Sequence, residues 1–187
     1  MEQFSRLLEN IIKSKCVDSF TNDLNQIQKT LEEKENYLLE AKAVGVDYPD
    51  SITALIEAKD GELPRVIVNC QKSIDDYLIR FINLINKDNN VVLTGYTFLD
   101  LSHDLNVKKV ILSELTRNQT IPLGLWLFKQ QFTASEFIFR KSGANQFMRI
   151  RYFDIDCSKY VNYFATVRLY LVEVFNIDTF IKYIEKK

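Results

Sequence analysis

One histidine, three cysteines, three prolines and five glycines in 187 residues are small stocks, and each narrows what the chain can be. So little glycine and proline excludes a collagen-like or Pro/Gly-rich disordered chain. No Gly-x-Gly-x-x-Gly or Gly-x-x-x-x-Gly-Lys-Ser/Thr loop is present to cradle phosphates. The cysteines stand at 16, 70 and 157, an odd number with no Cys-x-x-Cys spacing. They supply neither a disulfide framework nor a zinc motif, which points to a reducing, cytoplasmic home. His103 is the sole histidine, so mechanisms needing two are excluded, and no Gly-x-Ser-x-Gly elbow surrounds a serine. Long apolar runs are also missing: charged residues or Asn interrupt every stretch well short of the roughly 20 positions of a bilayer span. The start of the chain carries Glu2 and Glu9 and lacks the apolar core of a secretory signal. A membrane partner is therefore not expected.

What is present is enough for a sizeable core, with 47% hydrophobic and 12% aromatic residues against 26% charged. The net charge of −1 conceals an asymmetry. Residues 1–90 hold 11 Lys/Arg against 16 Asp/Glu, net −5, and residues 91–187 hold 13 against 9, net +4. Opposite halves can attract each other, within one molecule or between copies, or the basic half can meet an anionic partner. A charge of +4 spread over that length is thinner than the clustered footprint of a nucleic-acid binder.

In the first half the spacing predicts helices. Phe20, Leu24, Ile27, Leu31, Leu38 and Ala41 fall on a heptad seam in which Lys34 fills the vacant slot, with Asp18 or Ser19 as cap and Gly45 as terminator. A second helix is expected from about Pro49 to Asp60. A third is expected from Pro64 to Lys87 on Leu63, Ile67, Cys70, Ile74, Tyr77, Phe81 and Leu84. The two long helices would form an antiparallel, coiled-coil-like hairpin, completed by the stripe Phe4, Leu7, Leu8, Ile11, Ile12 or by a second copy of the chain.

After residues 88–90 the texture becomes β-branched and aromatic, and a boundary is placed there. A strand at 91–96, a helix carrying Val107 to Leu115, a β-hairpin over 136–153 and a strand over 161–175 follow, with a terminal helix opened by Asp178. The fold class expected is α+β: a helical region over 1–88, then an α+β domain over 89–187 with a small antiparallel sheet.

Candidate chemistry concentrates in that hairpin. Arg140, Phe147, Arg149 and Arg151 are the candidate contact residues. Period-2 geometry places Phe147, Arg149, Arg151 and Phe153 on one face and Met148, Ile150 and Tyr152 on the other. A face of guanidiniums flanked by rings can grip an acidic protein surface or stack bases and neutralise phosphates. The competing reading is an ordinary solvated sheet face. Asp154 and Asp156 are weak candidates for a hard cation, with Glu136 or Glu173 as a third ligand. Surface pairing of both with Arg149 or Arg151 is the plainer alternative. Cys157 has Asp156 beside it to raise its pKa, Cys70 reads as core, and Trp126 reads as an apolar anchor.

Taken together, the residues point to a non-catalytic binding or assembly protein, a complex subunit or inhibitor acting through protein–protein contacts. No cofactor and no resident metal are expected. A homo-oligomer through the N-terminal helices is compatible with this. The alternatives are a nucleic-acid-binding protein using the basic half and a metal-dependent hydrolase using Asp154 and Asp156.

Overall fold

The computed structural model describes residues 2–14, 18–33, 52–74, 76–101, 105–117, 122–123, 131–140, 146–163 and 165–184, with the backbone alone over 131–140 and 146–147. Five α-helices and six strands are described: α1 (Glu2–Lys13), α2 (Thr21–Glu32), α3 (Ile52–Asp60), β1 (Arg65–Ile74), β2 (Tyr77–Ile85), β3 (Val91–Asp100), α4 (Leu105–Arg117), β4 (Gln131–Arg140), β5 (Gln146–Asp156), β6 (Thr166–Asn176) and α5 (Ile177–Ile184). The strands make one sheet in the order β1-β2-β3-β6-β5-β4, with every neighbouring pair antiparallel. A helix followed by a three-stranded meander is thus used twice, and the two meanders meet where β3 pairs with β6.

This mixed α+β architecture bears out the coarse fold class. Two expectations are corrected. Residues 65–74 and 77–85 form strands, not a third helix, and they belong to the same sheet as the second half. The expected boundary at 88–90 is the turn between β2 and β3, where Asn86 Oδ1 accepts the backbone N–H groups of Asp88 and Asn90. The long helix expected over 18–44 is described as α2 as far as Glu32. Lys34, Leu38, Ala41 and Gly45 lie outside the described residues, as do Cys16, His103, Trp126 and the hairpin turn at 142–145.

Elsewhere the local signals are realised. Gly61 takes φ 79° and donates to the Glu57 carbonyl at 2.8 Å, which ends α3 where a left-handed residue is needed. At the head of α5 the expected cap is corrected from Asp178 to Asn176, whose side chain accepts the Asp178 N–H at 3.1 Å, while Asp178 itself sits in the first turn.

Helices cover both faces of the sheet. On the first face α1 and α2 lie over Ile79, Phe81, Tyr96, Phe98, Met148, Ile150, Tyr170 and Val172, inserting Phe4, Leu7, Leu8, Leu24 and Ile27. Phe4 stacks on Tyr170 at 4.8 Å and meets Phe98 edge-on at 5.4 Å. The Tyr96 hydroxyl ties α2 to this face by donating to Asp23 at 2.7 Å. On the second face two separate cores form at opposite ends of the strands. One packs Val107, Ile111 and Leu115 of α4 on Leu78, Leu99, Leu169 and Phe153. The other packs Ile52 and Ile56 of α3 and Phe180 and Tyr183 of α5 on Leu84, Leu93 and Phe175.

Candidate functional site

Between those two cores the second face carries a belt of polar residues, set there by strand alternation. In one cross-strand row Arg80 lies opposite Thr97, Thr97 opposite Leu171, and Leu171 opposite Arg151. In the next, Ile82 lies opposite Gly95, Gly95 opposite Glu173, and Glu173 opposite Arg149. Arg80 and Arg151 therefore flank the central β3–β6 pair symmetrically. Both belts run through the junction of the two meanders.

The expectation that this face is open to solvent is overturned by burial: Arg149 is 0% exposed and Arg80 2%. This is also the face on which α3, α4 and α5 pack, toward its two ends, so it is not a solvated one. Arg149 Nε donates to Glu173 Oε2 at 2.7 Å, and Arg151 Nη2 donates to Glu173 Oε1 at 3.2 Å. The guanidinium of Arg149 lies 5.4 Å from the Phe175 ring centre and that of Arg151 lies 5.3 Å from Phe153. Both rings add cation–π attraction, in the case of Arg149 with no exposure to water. Burial by itself raises the Glu173 carboxyl, but the charges of Arg151 and Arg149 and their hydrogen bonds outweigh it, so the group is held below the usual carboxylate range. Burial lowers the pKa of Arg80.

Of the other two contact candidates, Arg140 and Phe147 oppose each other at the end of the β4–β5 hairpin, where the backbone is described. Glu136 stands opposite Arg151 in the same register. The predicted alternation along β5 holds: Met148 and Ile150 pack under α1 and α2, with Tyr152 partly buried against them.

Asp154 and Asp156 do share a face, the first one, which puts them on the other side of the sheet from Arg149, Arg151 and Glu173. Their pairing with those arginines is accordingly not formed. Asp154 takes a two-pronged contact from Arg168, at 2.7 Å from Nε and 2.8 Å from Nη2. Asp156 accepts the Ser158 N–H at 2.8 Å and its hydroxyl as well, and these bonds lower the Asp156 pKa. Among the described residues no three His, Cys, Asp or Glu side chains are grouped to hold a metal ion.

Cys157 is fully buried, its thiol 3.6 Å from the Ile155 carbonyl oxygen. Burial first, and then the Asp156 charge, push it up to about 11, with Lys159 pulling weakly the other way. Thiolate is the reactive form, so native protein at pH 8 is expected to leave Cys157 unmodified by iodoacetamide. The modification should appear on unfolding in urea, which peptide mass spectrometry reads directly. Cys70, expected as core, is half-buried on β1, with its thiol raised by burial.

Sequence reasoning missed Arg80 and Thr97. The available signal was one arginine inside the run Tyr77-Leu78-Ile79-Arg80-Phe81-Ile82, where a charge interrupts residues that otherwise pack on both sides of a sheet. No family model, no curated protein and no solved structure matches this chain. Among the described residues no helix is long and apolar enough to cross a membrane.

Proposed function

We propose that this protein acts without catalysis, by binding another protein as a subunit of a complex or as an inhibitor. One observation carries the reading: the chemically capable groups whose side chains are described are dispersed over both faces of the sheet, the carboxylates each held by an intramolecular partner. Glu173 is bound by Arg149 and Arg151 on one face; Asp154 is bound by Arg168 and Asp156 by Ser158 on the other. An active site needs such groups to converge on one reacting atom. In this reading Arg149 and Arg151 support the hairpin from inside, and Arg140 and Phe147 at its end are the contact candidates.

Isolated from the cells that make it, the tagged chain is expected to elute with a second protein at fixed stoichiometry, measured by size exclusion with light scattering and identified by mass spectrometry. Elution as a lone monomer contradicts the reading. So does a divalent-metal-dependent hydrolysis that disappears in Asp154→Asn.

A further inference from the structure

Strand β1 terminates the sheet. It pairs with β2, and among the described residues no strand lies beyond it. In an antiparallel pair alternate residues turn their N–H and C=O groups away from the partner. Alternate residues of the ten in β1 therefore present a row of backbone donors and acceptors of the kind an extended peptide takes up by adding a strand.

The side chains along this edge have a definite chemistry. Ile67 is 46% exposed and Leu63, just before the strand, 45%. Arg65, Asn69, Lys72 and Ser73 are exposed as well, and β1 contains two basic residues and no acidic one. The flanking acids are Glu62 before the strand and Asp75 and Asp76 after it, and Asp76 is engaged by Lys108 at 3.3 Å. The register of β1 shifts between Val68 and Cys70, a bulge at Asn69. A bulge and exposed basic side chains are the means by which an edge refuses copies of itself, since a second basic strand brings like charges together. The same charges favour an acidic strand, so one feature both rejects and selects.

We propose that the β1 edge accepts an extended acidic segment of a partner protein as a seventh strand, with an apolar side chain of that segment beside Ile67 and its carboxylates facing Arg65 and Lys72. This rests on the protein-binding reading above and adds to the hairpin candidates a second surface, at the opposite edge of the sheet, with its partner chemistry. The probes are a fluorescent peptide alternating Glu with Val and Thr, and its twin with Lys in place of Glu. They are measured by anisotropy against the full chain and against Arg65→Glu/Lys72→Glu, whose fold is checked by thermal unfolding.

The acidic peptide is expected to bind the natural chain and to lose at least tenfold in affinity in the double variant, while the lysine peptide gains. The proposal is overturned if the acidic peptide does not bind, if it binds the double variant equally, or if the lysine peptide binds the natural chain as well. A co-isolated protein that stays on the double variant overturns the edge assignment and leaves the broader reading standing. The absence of any co-isolated protein removes the broader reading itself.

Discussion

Glu173→Ala is expected to destabilise the protein by about 3–5 kcal/mol, because it takes the shared carboxylate from the enclosed Arg149 and the partly buried Arg151. Arg149 has no exposed surface through which water could replace the lost bonds. Urea unfolding at pH 7 measures the effect as a fall in the midpoint. The pH dependence has a defined sign. A carboxyl depressed in the folded state contributes stability above its unfolded pKa of about 4.3, and that contribution disappears as pH falls through the lower folded value. The cost of Glu173→Gln relative to the natural chain should therefore be largest near neutrality and shrink below about pH 4.

The second large effect is expected on the opposite face. Phe4→Ala should cost about 3–5 kcal/mol, the usual range for a buried phenylalanine truncated to alanine. Its ring is fully enclosed, stacked on Tyr170 and edge-on to Phe98 and Tyr152. The loss should be local in origin: α1 would loosen from the sheet before the strands separate. Hydrogen exchange is expected to show amides of α1 deprotected first while those of β3 and β6 stay slow. Uniform deprotection would mean that α1 is not an independent cover.

The outcomes for particular elements show what a sequence can disclose. The β4–β5 hairpin and β6 were legible because their side chains alternate strictly enough for period 2 to stand out, as in Met148, Ile150 and Tyr152 against Arg149 and Arg151. Strand β2 was misread because it is buried on both faces. Phe81 packs under α1 and α2 while Leu78 and Leu84 pack under the helices on the other side. With no polar face, spacings of four and three are as available as spacings of two. The enrichment of β1 and β2 in Val66, Ile67, Val68, Ile79 and Ile82 was the better guide.

The reading of Arg149 as an exposed contact residue failed for a different reason. Alternation correctly grouped Arg149 with Arg151, but nothing local reveals that three helices, all remote from β5 in sequence, pack on that side. Burial is a property of the assembled layers, and with it a supposed contact surface becomes an internal charge cluster. The acids followed from the same parity: Asp154 and Asp156 stand on the face opposite Arg149 and Arg151, so Arg168 of the neighbouring strand is what meets Asp154.

The central claim is that Arg149 is interior and directly bonded to Glu173. A double-mutant cycle of Arg149→Met and Glu173→Met, read by urea unfolding, tests it most directly. The account predicts that each single change is severe while the double change costs less than their sum by well over 1 kcal/mol, because the direct Arg149–Glu173 bond is lost only once; Arg151 loses Glu173 in the single and in the double variant alike. Costs that simply add, each within the roughly 0.5 kcal/mol expected of solvent-exposed side chains, would contradict it.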